Sequence, residues 1–82
     1  MELVALTEEI VKTLVQDPES ISVKQFAENE DNEVIIQVMV AESDMGRIIG
    51  KAGKVANAIR TLVQASSYLK DNKKVRVNID SF

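Results

Sequence analysis

Residues 46–54 read Gly46-Arg47-Ile48-Ile49-Gly50-Lys51-Ala52-Gly53-Lys54. This stretch contains all three glycines of the chain and three of its ten lysines and arginines. An apolar pair precedes the second glycine, and a helical pattern follows the third. Because glycine lets another backbone approach closely, we predict that this turn holds a nucleic-acid backbone and that the other residues build its platform.

The segment before this stretch predicts one helix and two strands. Residues 2–16 carry apolar side chains at helical spacing, and Pro18 ends that helix because the residue before a proline is pushed out of the α region. Alternating patterns predict strands over residues 21–28 and 33–41, joined by a short polar turn and therefore antiparallel. Apolar residues on both faces of the second strand indicate a central position in the sheet.

The segment from residue 43 onward predicts two helices and a last strand. Ser43 or Asp44 is expected to cap a short helix that leads into the glycine turn and is interrupted by Gly46. A longer helix is expected over residues 54–69, and a strand over residues 73–80.

The longer helix carries two sets of apolar residues. Its core stripe is predicted to consist of Val55, Ala58, Ile59, Leu62, Ala65 and Leu69. Ala56, Val63 and Tyr68 lie off this stripe. We therefore expect Val63, with Ala56, to offer a surface to a second subunit, and the ends of the first helix are the second candidate.

These elements follow the order α-β-β-α-α-β within a single domain over residues 1–82. The two helices between the second and third strands form a crossover long enough for those strands to run parallel, with a right-handed connection. The expected fold is therefore α+β, with a three-stranded mixed sheet and three helices on one face.

Composition excludes several classes of function. The 82-residue chain has no cysteine and no histidine, which rules out thiolate metal sites, the usual zinc sites and histidine-base catalysis. The acids show no catalytic arrangement, so neither an enzyme nor a cofactor is expected.

No apolar run approaches the roughly 20 residues of a membrane span, and the N-terminus lacks the basic region of a signal peptide. We expect a cytoplasmic protein.

Charge is distributed unevenly along the chain, whose net charge is −3. Residues 1–42 contain two cations against ten acids, a net charge of −8, and residues 43–82 contain eight cations against three acids, a net charge of +5. This asymmetry either marks a local anion-binding surface within an acidic average or reflects two solvated charged faces.

Two other functions of the glycine turn fit poorly. A Walker-type loop needs four residues between its first glycine and the Gly-Lys pair, and then Ser or Thr, but only three residues separate Gly46 from Gly50 and Ala52 stands at the hydroxyl position. The dinucleotide-binding pattern fails because Ile48 occupies a glycine position. A purely structural corner between helices explains one glycine but leaves the surrounding cations unexplained.

Recognition of a nucleic-acid backbone uses all of these features. A Gly-x-x-Gly turn between two helices lets a phosphodiester approach exposed N–H groups, and the N-terminus of the next helix adds a favourable dipole. Lys51 supplies charge at the tip. Of Ile48 and Ile49, one can anchor the helix pair while the other lines an apolar groove for bases.

The string from Ile48 to Gly53, between two helices in this element order, resembles a KH domain of type II. Together with Ala58-Ile59-Arg60-Thr61-Leu62-Val63 and Lys74-Val75-Arg76-Val77, it is similar to the small single-domain bacterial KH proteins of the KhpA type, over essentially the whole chain. The resemblance implies a groove for about four single-stranded nucleotides, usually RNA, and a role as an RNA chaperone or post-transcriptional regulator. It also implies a homodimer, or a heterodimer with a larger multidomain KH protein of the KhpB or Jag type.

Carried over by position, the resemblance implies a backbone clamp made of Gly50, Lys51, Ala52 and Gly53. Arg47 and Lys54 would add charge, and Arg60 would either add charge or be a solvated helix residue. The groove would draw on a pool made of Ile48, Ile49, Ile36, Val38 and Met39, of which one or two would touch bases and most would belong to the core. Ala52 departs from the family pattern, in which both residues between the glycines are often polar or basic.

An alternative function is a protein–protein adaptor, in which the dimer surface carries the function and the RNA affinity is residual.

Overall fold

A computed structural model describes residues 2–26, 33–50 and 52–82. Its elements are α1 (Leu3–Leu14), β1 (Ser22–Phe26), β2 (Val34–Val40), α2 (Glu42–Ile49), α3 (Lys54–Lys70) and β3 (Val75–Ser81). The strand β2 lies in the middle of a three-stranded sheet, antiparallel to β1 and parallel to β3. The predicted α+β fold, mixed sheet and central strand are confirmed, whereas the predicted polar turn lies outside the described residues.

The core lies between the helices and one face of the sheet. Every second side chain of β2 is buried there, namely Val34, Ile36, Val38 and Val40. The intervening residues of β2 point to the opposite face and are half-buried. Ile48 from α2 and Ile59 and Val63 from α3 pack on the buried face, so α2 and α3 are held firmly against the sheet on either side of the glycine turn.

The start of α2 differs from the prediction. The helix begins at Glu42, its N-cap is Ala41 without a side-chain cap, and it continues through Gly46 without interruption. Capping by Ser43 or Asp44 is therefore wrong. Asp44 lies inside the first turn of the helix, where its carboxylate accepts hydrogen bonds from a distant loop.

The buried side of α3 also differs from the prediction. Its buried residues are Ala56, Ile59, Val63 and Ser67. The prediction that Val63 and Ala56 meet a second subunit is wrong, because both lie in the core. The small side chains of Ala56 and Ser67 let the helix approach the sheet closely, and residues 56, 59, 63 and 67 keep the spacing of one helix face.

Most of the apolar stripe predicted for the core is therefore on the surface. Of its members, only Ile59 is buried. Leu62 is 54% exposed and Leu69 is 87% exposed, and Ala58 and Ala65 are exposed with them. The more apolar face of α3 thus points away from the sheet, which is the arrangement expected of a helix with a further partner.

Candidate nucleic-acid interface

The turn between α2 and α3 reverses the chain tightly. The Gly50 N–H donates to the Gly46 carbonyl oxygen at 2.9 Å, and the Gly53 N–H donates to the Ile49 carbonyl oxygen at 3.0 Å. The backbone then takes positive φ values of 59° at Ala52 and 74° at Gly53. These left-handed residues direct the chain into α3.

The two glycines of the Gly-x-x-Gly pair are needed for different reasons. A Cβ at Gly50 would stand 2.3 Å from the carbonyl oxygen of Gly46, so the backbone itself leaves no room for it. Gly53 has the left-handed φ that glycine adopts without steric cost. A Cβ at Gly46 would meet nothing within 4 Å, so that glycine is not sterically required. Ala52 adopts its positive φ at a cost of roughly 1–2 kcal/mol.

The N-terminus of α3 faces the same turn. Gly53 is its N-cap, and the first intrahelical bond runs from the Asn57 N–H to the Gly53 carbonyl oxygen at 2.9 Å. The N–H groups of Lys54, Val55 and Ala56 precede this bond and have no partner within the helix. The first turn of α3 carries no acidic residue. The partial positive charge of the helix terminus is therefore not neutralised by its own side chains.

A buried carboxylate positions α2. Asp44 is 1% exposed, its Oδ1 accepts from the Gln16 N–H at 2.9 Å, and its Oδ2 accepts from the Asp17 N–H at 3.2 Å. The Nε of Arg47 lies 3.7 Å from Oδ1. Each carboxylate oxygen thus has its own backbone donor, and the loop after α1 is tied to the helix that enters the turn.

The structure separates the two isoleucines of the predicted site. Ile48 is buried in the core and Ile49 is 43% exposed. Ile48 therefore anchors α2, and Ile49 is the one that offers an apolar contact next to the turn. The described residues of the predicted clamp lie together in the turn, while Lys51 lies outside the described residues.

The other residues predicted to contribute to the site lie on α2, α3 and β2. Arg47 is on α2 and ion-paired to Asp44, and Lys54 is exposed at the start of α3. Ile36 and Val38 are fully buried, and Met39 points to the sheet face away from the helices. Ile36 and Val38 therefore belong to the part of this pool that was expected to form the core.

A groove lies between α3 and the edge strand β3. It is open, has a volume of about 610 Å³, and is lined by Arg60, Thr61, Gln64, Ala65, Tyr68, Glu33, Lys74, Val75, Arg76 and Val77. At 1.5 Å per helical residue, its first α3 residue is about 10 Å along the helix from Gly53. We name this feature the α3–β3 groove.

Side chains of α3 pair with the outer backbone edge of β3. Arg60 Nε donates to the Val77 carbonyl oxygen at 3.2 Å. Gln64 Nε2 donates to the Lys73 carbonyl oxygen at 3.0 Å, and its Oε1 accepts from the Val75 N–H at 2.9 Å. These bonds fix the distance between the two walls of the α3–β3 groove.

The β3 wall of the groove is cationic. Lys74 Nζ lies 3.9 Å and Arg76 Nη2 lies 3.8 Å from the carboxylate oxygens of Glu33. The Glu33 side chain is 8% exposed, but both cations are more than half exposed. These contacts are longer than charge-assisted hydrogen bonds, so both cationic side chains can reorient and bind a phosphate. The sequence signal for this wall was the run of cations over residues 73–76.

A second groove lies between α1 and α3. Its volume is about 630 Å³, and it is lined by Glu9, Ile10, Thr13, Leu14, Lys54, Val55, Ala58, Ile59 and Leu62. The lining is apolar except for one acid, one cation and one hydroxyl. We name it the α1–α3 groove, and it continues the exposed apolar stripe of α3.

Residues 2–26, 33–50 and 52–82 contain neither a candidate metal site nor a membrane-spanning helix. No group of three or more histidine, cysteine, aspartate or glutamate residues in these ranges could hold a metal ion. No helix there is long and apolar enough to cross a membrane.

The element order, the parallel β2–β3 pair and the Gly-x-x-Gly turn between α2 and α3 define a KH domain of type II. A family model described as KhpA/KhpB, KH domain, matches residues 4–79. The chain belongs to this family.

Several bacterial relatives are similar over most of the chain. RNA-binding protein KhpA of Clostridium perfringens is 45% identical to this chain, and the match covers 90% of this chain and 95% of the relative. RNA-binding protein KhpA of Listeria monocytogenes is 44% identical, and the match covers 85% of this chain and 88% of the relative. A third protein of this name, from Chlamydia trachomatis, is 43% identical, and the match covers 85% of this chain and 86% of the relative. These names describe binding, and the family confirms the prediction that the chain is not an enzyme.

Solved structures of Era share the fold. The structure of Era with MgGDPNP and nucleotides 1506–1542 of 16S ribosomal RNA has a TM-score of 0.69 at 22% identity, and the match covers 96% of this chain and 29% of that one. A structure of Aquifex aeolicus Era bound to GDP.AlF4- has a TM-score of 0.64 at 24% identity, and its match covers all of this chain and 32% of that one. At these identities the likeness concerns the fold alone.

Proposed function

We propose that this protein binds single-stranded RNA without catalysing a reaction. The turn would clamp the backbone of about four nucleotides, and the strand would continue along the α3–β3 groove. In the cytoplasm this activity suits an RNA chaperone or a post-transcriptional regulator. The names of the relatives support RNA as the ligand.

The observation that carries this proposal is the backbone geometry of the turn. Gly50 lets α2 close into the turn where no Cβ fits, and the positive φ values of Ala52 and Gly53 then lead the main chain to the start of α3. The three N–H groups at the start of α3 have no helical partner and carry the positive end of the helix dipole. Phosphate is the ligand that such a terminus attracts, and Arg60, Lys74 and Arg76 continue the positive charge along the groove.

A double substitution in the turn tests this proposal. We expect Lys51→Asp with Ala52→Asp to weaken binding of mixed-sequence single-stranded RNA by at least about tenfold, because two carboxylates would face the phosphates at short range. Aspartate accepts positive φ better than most residues, so the variant should stay folded. Fluorescence anisotropy of labelled RNA at a fixed, stated salt concentration measures the affinity.

The control is Lys24→Asp with Gln25→Asp on β1, where both side chains are exposed and lie at the opposite edge of the sheet from β3. It makes the same change in net charge as the turn variant. This control should bind RNA nearly as well as the wild type. Equal affinity of the turn variant and the control would contradict the backbone clamp.

We further propose that two copies pair through the α1–α3 groove and the exposed stripe of α3. In a two-fold symmetric interface each residue of one patch meets the same patch of its partner. Glu9 and Lys54 line this groove together, so each copy would offer the other a complementary charge beside apolar Leu14 and Leu62. A larger KH protein of the KhpB type would use the same surface for a mixed pair.

Placing a charge in this patch should separate the two copies. We expect Leu62→Asp to change a dimer into a monomer in sedimentation experiments, because the carboxylate would be buried without a partner. Phe26→Asp is the matched control, since Phe26 is 51% exposed and Leu62 is 54% exposed but Phe26 lies on β1. A Leu62→Asp protein that still dimerised like the control would contradict this interface.

The adaptor function is the second candidate, and the exposed apolar stripe of α3 favours it. The same variants separate it from RNA binding. If the turn variant loses RNA but still pairs, and the Leu62 variant loses pairing but still binds RNA, then both surfaces are functional. If wild type pairs but binds no RNA, only the adaptor function survives.

A further inference from the structure

The far end of the α3–β3 groove contains an exposed aromatic ring that the clamp does not use. Tyr68 lines this groove and is 52% exposed. Arg60, Gln64 and Tyr68 are spaced four residues apart and so form one row along α3. Arg60 and Gln64 bond to the backbone of β3, whereas Tyr68 comes one turn further on, beyond the first residue of β3.

The chemistry around this ring suits a nucleotide. Lys74 and Arg76 line the same groove, and their side chains are 69% and 62% exposed. Three cations face one carboxylate along the groove, so an anionic chain is favoured over a basic or neutral one. Stacking on an aromatic side chain, with cations on the phosphates, is how proteins hold single-stranded nucleic acid without reading its sequence.

We propose that Tyr68 is a stacking site for a nucleobase of the bound RNA, with the neighbouring phosphate held by Lys74. The site lies about 22 Å along α3 from Gly53, at 1.5 Å per residue, and thus extends the footprint of the RNA to the opposite end of the groove. The proposal rests on the proposed RNA binding. It adds an affinity contribution that the single lysine between the turn glycines does not supply.

The protein carries its own probe for this site. It contains one tyrosine and no tryptophan, so its intrinsic tyrosine fluorescence reports on Tyr68 alone. We expect mixed-sequence single-stranded RNA of about ten nucleotides, a length within known single-strand site sizes, to quench this emission saturably. The midpoint, corrected for absorption by the RNA, should match the affinity from anisotropy of labelled RNA.

Three variants separate stacking from other roles. Tyr68→Ala should weaken RNA binding by about tenfold, the size of one base–aromatic contact, and Tyr68→Phe should bind like the wild type because it keeps the ring. Phe26→Ala removes an equally exposed ring on β1 and should leave binding unchanged. Thermal unfolding of each variant checks that it is folded.

The possible results are distinct. Wild-type binding to RNA with unchanged tyrosine emission, or a Tyr68→Ala variant that binds like wild type, would overturn the stacking site and leave the proposed function intact. Equal losses in Tyr68→Phe and Tyr68→Ala would also overturn it, because the hydroxyl and not the ring would then matter. No binding of wild type to RNA would overturn both proposals.

Discussion

Asp44→Ala is expected to lower the free energy of unfolding by about 3 kcal/mol, because two backbone N–H groups lose a charged acceptor in a buried place. For a domain of this size that corresponds to a fall in Tm of roughly 15 °C. The donors are those of Gln16 and Asp17, at 2.9 and 3.2 Å from the two carboxylate oxygens. Denaturant unfolding at a fixed protein concentration measures the effect, since pairing of copies would add to the apparent stability.

Two further variants show whether this loss comes from the hydrogen bonds. Asp44→Asn keeps one acceptor oxygen but turns an NH2 group toward one backbone donor, so its stability should lie between those of wild type and Asp44→Ala. Ser43→Ala removes an exposed side chain next to Asp44 and should change stability by less than about 0.5 kcal/mol. An Asp44→Ala protein as stable as Ser43→Ala would show that the carboxylate does not hold the loop.

Gly50→Ala is expected to cost about 3 kcal/mol, in the upper range for a single substitution. Its Cβ would stand 2.3 Å from the carbonyl oxygen of Gly46, and no side-chain rotation can relieve a clash with the backbone. The last turn of α2 would have to open and lose the hydrogen bond between these two residues. RNA affinity should fall as well, because the shape of the turn changes.

The comparison variant is Gly46→Ala, which makes the same chemical change four residues earlier. Nothing lies within 4 Å of a Cβ at that position, and alanine favours a helix over glycine by roughly 0.5–1 kcal/mol. Gly46→Ala should therefore raise the unfolding midpoint while Gly50→Ala lowers it. Equal effects of the two substitutions on the midpoint would mean that the clash is relieved by a small backbone shift.

The sequence patterns predicted the order of elements and the sheet because the period of each segment is clear. Residues 34–40 form a short run that is apolar except for Gln37, and proline at position 18 marks the end of the first helix. The glycine spacing also indicated the position of the turn. Each of these features depends on the residues of one segment alone, so the local pattern of side chains is enough to predict it.

The buried side of α3 could not be predicted in this way. The stripe through Leu62 and Leu69 and the stripe through Val63 and Ser67 both have helical spacing, and both pass through Ile59. The usual assumption that the more apolar face turns inward predicted the wrong side, since that assumption fails when a helix has two apolar faces.

The role of Asp44 and the cationic wall of the groove escaped prediction for a related reason. Asp44 bonds to a loop 27 and 28 residues away in the chain, and such a pairing leaves no local pattern. Lys74 and Arg76 meet Arg60 only because β3 pairs with β2 in one register and α3 packs against that edge. Both features depend on contacts between segments distant in sequence.

The side-chain amide of Gln64 has a consequence for how this small sheet behaves among other proteins. An unprotected edge strand invites a strand from another molecule, which is a common route to aggregation. Here one amide bonds to both the Lys73 carbonyl oxygen and the Val75 N–H, and Arg60 covers the carbonyl of Val77. A foreign strand would have to displace these bonds before it could add to β3, so the helix that lines the groove also keeps the sheet from growing at this edge.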